Sequence, residues 1–328
     1  MRFVSLLFAT AMTLNPLVAV AQTANQGGPL IDYGTRFIPE IAAKGMVSGP
    51  EKLASEAGLS MLIRGGNAVD AAVATGFALA VTLPRAGNLA GGGFMLVHLA
   101  KTDEQVFIDY REMAPASASR DMFLNEDGTV NKQMAYNSPS AAGIPGTVAG
   151  MIHALENYGT LDLKTVIQPA IELAEQGFRV PAALHLNLRA ATKRLARNEE
   201  ANRIYFAGTG TAPAMGSLFK QPDLAATLKR ISDNGTDGFY KGKTAALIVE
   251  EMQRNGGLIT RSDLANYRAL ERQPVRSMFR GYELVSAPPP SSGGIHVSQI
   301  LTLLEPFPLK QLGHSSAGYL HVLIEAMK

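Results

Sequence analysis

Arg111 and Glu112 are the residues whose types and place in the sequence most directly suggest chemistry. They close the stretch "QVFIDYREMAP", in which the strand-like run Gln105 to Tyr110 delivers two opposite charges shortly before Pro115. A guanidinium presented at a strand end can grip a carboxylate through two parallel N–H···O contacts. Glu112 could hold that guanidinium in one rotamer. The ligand would carry a carboxylate and no strongly charged remainder. The same pair could equally be a surface ion pair, which contributes little to stability. Residue pattern alone leaves both readings open.

Other chemistries are less well supported. Six histidines are scattered at 98, 153, 185, 296, 314 and 321, and none forms HExxH, so a metal site is not expected. Cysteine is absent, which excludes disulfides and thiol nucleophiles. "PPPSSGG" fails the G-x-S-x-G pattern because Pro290 stands where the first Gly belongs. It reads as a rigid arm before a helix start, either a plain linker with an N-cap or a site-lining turn. "AGNLAGGGF" lacks the Lys of a phosphate loop and feeds a strand, so close backbone packing is the expected use. No cofactor is called for.

The elements that must position Arg111 follow from periodicity. "FMLVHLA" and "QVFIDY" read as a hairpin. Glu51 to Arg64 has helical apolar spacing, and Gly65-Gly66 ends it. Asn67 and Asp70 form a capping-box pattern before "AVDAAVATGFALAVTL", which is apolar nearly all round and so buried on most faces. Ala116 to Ala142 looks disorganised. Pro145-Gly146 then opens a helix that Gly159 closes. Further helices are expected in "DLKTVIQPAIELAEQGF", kinked at Pro169, and in "PAALHLNLRAATKRLA", "PDLAATLKRISDNG", "GKTAALIVEEMQRNGG" and "RSDLANYRAL". "PVRSMF" and "YELVSA" read as strands, followed by helices "IHVSQILTLLE" and "SAGYLHVLIEAMK". The mixture suits helices packed on a sheet.

The chain has 328 residues, 46% hydrophobic and 18% charged, with a net charge of only +2. No basic stripe or aromatic-basic interleaving is present, so nucleic acid is a poor partner. The first 22 residues hold one basic residue, Arg2, an apolar stretch broken at Asn15-Pro16, and Ala19-Val20-Ala21 before Gln22. That is the pattern of a secretory signal peptide over residues 1–21, not of a stable membrane anchor. Residues 22–45 read as a polar lead-in, and 46–328 as the folded region.

Several stretches, in order, resemble one family. They are "GGNAVDAAVATGFALAVT", "AGNLAGGGFML", "IDYREMAPASASRDMF", "GIPGTVAG", "NGGLIT…DLANYRALERQPV", "RGYELVSAPPPSSGGIH" and "YLHVLIEAMK". Together they are similar to the large-subunit portion of bacterial γ-glutamyltransferases (glutathione hydrolases), from about Met46 to Lys328. Ala90 departs from the Gly that relatives often carry, a minor change.

The resemblance implies an α+β fold, the N-terminal nucleophile hydrolase αββα sandwich, incomplete in this chain. It implies a precursor that cuts itself into a heterodimer of large and small subunits. The new N-terminal Thr of the small subunit attacks the γ-glutamyl amide of glutathione, and its own amine is the base. The acyl group passes to water or to amino-acid or peptide acceptors. The Thr-led stretch is not found here, and the segment by itself is expected to be inactive. Thr302 lies within a predicted helix and does not match. Ala326-Met327-Lys328 carries no helix stop signal, so the sequence ends as if cut. Arg111 matches the Arg that binds the α-carboxylate of the γ-glutamyl group, with Glu112 a supporting neighbour. The mature protein is expected in the periplasm or outside the cell. Two rivals stay open: a glutaryl-cephalosporin acylase of the same fold, and a non-catalytic exported binding protein.

Overall fold

Leu53, Ala54, Ala57, Met61 and Leu62 place small and apolar side chains on one side of the first helix, α1 (Lys52–Ile63). In the computed structural model, which describes residues 41–328, that side packs on α2 (Ala68–Thr82). The signal peptide at 1–21 and most of the lead-in at 22–45 lie outside the described residues. Gly45–Lys328 form one compact unit, to which the following description applies.

α2 begins as its sequence requires. Asn67 accepts from the amides of Val69 and Asp70, and Asp70 Oδ2 accepts from the Asn67 amide at 2.7 Å, completing a capping box. Its Ala-rich body is buried on nearly every face. α1, α3 (Thr147–Tyr158) and α4 (Leu163–Gln176) all contact it. Small side chains make that crowding possible, and Phe77, Val73 and Val81 fill the centre. α4 runs through Pro169 without ending.

Strands β1 (Phe94–Leu99) and β2 (Glu104–Asp109) form the expected antiparallel hairpin, with Phe94 opposite Asp109. A third strand, β3 (Leu270–Arg272), pairs antiparallel on the far side of β2, with Asp109 opposite Leu270. β2 is therefore central, and Val106 to Asp109 are buried in succession.

Tyr110, just beyond β2, meets α3 through two glycines. A Cβ on Gly150 would stand 2.1 Å from the Tyr110 ring, and one on Gly146 would stand 1.9 Å from its carbonyl oxygen. Only Gly lets the helix approach the strand end so closely.

The middle of the chain is helical: α5 (Ala182–Leu195), α6 (Glu199–Phe206), α7 (Pro222–Asn234), α8 (Gly242–Asn255) and α9 (Arg261–Asn266). The stretch expected to be disorganised contains one short helix, Lys132–Asn137, and a 3-10 turn, Pro139–Ala141. β4 (Val275–Phe279) and β5 (Tyr282–Ser286) form a separate hairpin turning at Arg280-Gly281. α10 (Gly293–Leu304) packs on that hairpin and on α11 (Ala317–Met327). Ser292 stands at the N-cap of α10 without a side-chain cap bond. α10 and α11 expose Val297, Leu303, Leu320, Ile324 and Met327. Among the described residues no helix is long and apolar enough to cross a membrane.

Candidate carboxylate-binding site

β2 delivers Arg111 by a route in which almost every backbone group is accounted for. Tyr110 pairs with Gly93, its amide donating to Gly93 at 3.0 Å and its carbonyl accepting from Gly93 at 3.3 Å. The Arg111 amide donates to Asp109 Oδ1 at 3.1 Å. The Arg111 carbonyl accepts from the Tyr267 hydroxyl at 2.8 Å. Two residues on, Met113 and Ile144 form a short antiparallel bridge, the Ile144 amide donating to Met113 at 2.7 Å. The Ala116 amide then donates to Asp263 Oδ1 at 3.0 Å. The path of the chain is fixed before and after the guanidinium.

The side chain of Arg111 is exposed, and its guanidinium carbon lies 6.0 Å from the centroid of the Phe94 ring. That ring is itself braced by Phe107, centroid to centroid 5.3 Å. A cation over an aromatic face is weakly attracted to it and keeps its N–H groups free for another partner. Arg111 has no ion-pair partner among the described residues. The Arg111–Glu112 contact drawn from the sequence is not formed. Glu112 turns back over the Gly-rich loop instead, its Oε2 standing 2.8 Å from where a Cβ on Gly92 would be. The close packing expected of "AGNLAGGGF" thus receives the Tyr110–Glu112 backbone.

Asp109 is the buried charge beneath the site, 7% exposed at its side chain. Its Oδ2 accepts from Arg272 Nε at 2.7 Å, so one carboxylate is shared between the Arg111 backbone and a β3 guanidinium. Burial raises the Tyr110 hydroxyl to about 12. Burial also pushes the Tyr267 hydroxyl up, reinforced by the negative charges of Asp109 and Glu112, so Tyr267 stays protonated and remains a donor. Asp263 is lowered: burial opposes ionisation, but bonds from Thr260 and the Ala116 amide outweigh it.

Sequence reading missed Asp109, Asp263, Tyr267 and Arg272. Thr260 and Asp263 form a capping box at the start of α9, a legible signal, but Asp263 serves Ala116 as well. The four surround the stretch from Asp109 to Ala116, so "NGGLIT…DLANYRALERQPV" and "GIPGTVAG" converge on "IDYREMAP". The arrangement can hold and orient an anion. Among the described residues no cluster of three or more acidic or histidine side chains could hold a metal ion.

The family model described as gamma-glutamyltranspeptidase matches residues 54–328. This chain belongs to the gamma-glutamyltranspeptidase family. A glutathione hydrolase proenzyme of Escherichia coli is 48% identical over 303 residues, covering 92% of this chain and 52% of the relative. The crystal structure of Helicobacter pylori gamma-glutamyltranspeptidase matches with a TM-score of 0.86 at 44% identity, covering 88% of this chain and 82% of that one. An acylase proenzyme of Pseudomonas sp. (strain SE83) is 39% identical over 303 residues, covering 90% of this chain and 54% of the relative. The chain spans about half the length of the curated proenzymes it matches. The α+β architecture is accordingly that of the N-terminal nucleophile hydrolases. The sheets of this chain are small: one three-stranded and two two-stranded, among the described residues.

Proposed function

We propose that this chain is the carboxylate-gripping portion of a γ-glutamyltransferase and glutathione hydrolase. Arg111 binds the α-carboxylate of the γ-glutamyl group. A Thr outside these 328 residues forms the acyl-enzyme, which passes to water, an amino acid or a peptide. The small subunit that carries that Thr is its heterodimer partner after self-cleavage. The leader at 1–21 directs export to the periplasm or beyond.

One observation carries the reading. Arg111 has its backbone tied at both the amide and the carbonyl, while its guanidinium stays exposed and unpaired over Phe94. The greater identity to the glutathione hydrolase than to the acylase supports γ-glutamyl over glutaryl substrates.

The test is turnover of a γ-glutamyl anilide by a full-length protein carrying this region. We expect robust turnover, little or none with a glutaryl-cephalosporin, and none from residues 22–328 alone. Arg111→Ala should raise KM at least tenfold through loss of a bidentate charged contact. Preference for the glutaryl substrate would move the assignment to the acylases, and an unchanged KM would remove Arg111 from the site.

A further inference from the structure

β2 ends at Asp109, so no ladder holds Arg111 on a partner strand. Side chains take over that role, Asp109 on its N–H and Tyr267 on its C=O. The direction in which the guanidinium leaves the backbone follows from the orientation of these two peptide planes.

Tyr267 is unusually well fixed for such a task. It is 4% exposed. Its ring stacks on Tyr240 at 5.8 Å between centroids and 5° between planes. The Tyr240 hydroxyl in turn donates to the Pro145 carbonyl at 2.8 Å, which anchors the pair to the start of α3. A Cβ on Gly146 would stand 2.2 Å from the Tyr267 hydroxyl, so that hydroxyl fills the space the glycine leaves. Five residues on, Arg272 holds Asp109. One segment, Tyr267 to Arg272, therefore grips the chain on both sides of Arg111.

We infer that Tyr267 is a positioning residue for the Arg111 carboxylate clamp, acting through its hydrogen bond to the Arg111 carbonyl. The inference rests on the reading of Arg111 given above. Packing of the Tyr267 ring needs no hydroxyl, since Phe would stack on Tyr240 equally well. The hydroxyl instead sets the peptide plane from which the guanidinium projects. It does not touch substrate.

The experiment is a double-mutant cycle in the full-length enzyme with a γ-glutamyl anilide. Tyr267→Phe removes only the hydroxyl and should raise KM about fivefold, the worth of one neutral hydrogen bond, with kcat changed less than about twofold. In an Arg111→Ala background the same change should leave KM unaltered, because no clamp remains to be positioned. A purely structural hydroxyl would act equally in both backgrounds. The inference is overturned if Tyr267→Phe leaves KM unchanged while Arg111→Ala raises it, or if the two effects multiply. An Arg111→Ala enzyme with normal KM would overturn the clamp itself, and this inference with it.

Discussion

Arg272 Nε donates to Asp109 Oδ2 at 2.7 Å, joining β3 to the end of β2 across 163 positions of sequence. The carboxylate is buried and the guanidinium half-exposed, so the two partners are not equivalent. Arg272→Met would leave a buried negative charge with only the Arg111 amide for compensation. Such a loss costs about 3 kcal/mol. Thermal unfolding should show a clearly lower midpoint. Asp109→Asn keeps the volume but turns one of the two accepting oxygens into an NH2 donor facing an N–H, so it should also destabilise. Arg272→Lys, which keeps a cation beside the carboxylate, should cost less than Arg272→Met, and equal losses from those two would mean that the charge is not what matters.

Gly150 faces the Tyr110 ring at a distance that excludes even a methyl group. Gly150→Ala usually favours a helix interior by about 1 kcal/mol. Here the added carbon forces α3 away from β2 or turns a buried ring out of its rotamer, at about 2 kcal/mol or more. The expected net result is destabilisation, together with a raised KM in the full-length enzyme because Arg111 is the next residue. A stabilised protein would show that α3 and β2 can separate freely.

Asp70 has no exposed surface and accepts from the amides of Asn67, Thr160 and Leu161 and from the Thr160 hydroxyl at 2.6 Å. It ties the start of α2 to the turn between α3 and α4. Burial disfavours its charge, but these bonds outweigh burial and hold its carboxyl below the usual range. The sign follows: a folded pKa below the unfolded value contributes stability that is present above about pH 4 and lost as pH falls through the folded pKa. Asp70→Asn should therefore lower stability near neutrality by about 2 kcal/mol, and the gap to wild type should narrow in acid. Urea unfolding at several pH values would check this, and a pH-independent gap would rule it out.

Much of the scaffold was legible in local patterns. Two short strand-like runs a few residues apart wrote the β1–β2 hairpin, Asn67 and Asp70 wrote the entry to α2, and Pro145-Gly146 wrote the entry to α3. β3 was not legible. "RAL" reads as the tail of the helix expected in "RSDLANYRAL", because a three-residue strand gains its identity from β2, far away in sequence. Tyr267 and Arg272 were missed for the same reason: their roles are long-range contacts with Arg111 and Asp109. α6 was missed despite the Asn198 cap and two Glu in its first turn. Arg111 itself was ambiguous until its companion motifs were weighed. Glu112, its neighbour in sequence, faces the Gly92 loop and does not contact its guanidinium, since consecutive residues leave an extended chain on opposite sides.

The exposed apolar side chains of α10 and α11 lead to a prediction about association. Leu303 is 57% exposed, Ile324 54% and Met327 64%, and Ile300, Leu303 and Met327 share one open cleft between the two helices. Contiguous apolar surface of this kind drives association in water. Residues 22–328 expressed alone should elute from size-exclusion chromatography ahead of a monomer, increasingly so at higher concentration. Leu303→Glu with Ile324→Glu should return the protein toward monomer size, because charges at the patch must be desolvated on association. On the function proposed above, the same pair of changes in a full-length protein should impair assembly with the small subunit, read as loss of co-elution. A wild-type segment that stays monomeric at every concentration would show that these side chains are covered in solution by some rearrangement of α10 and α11.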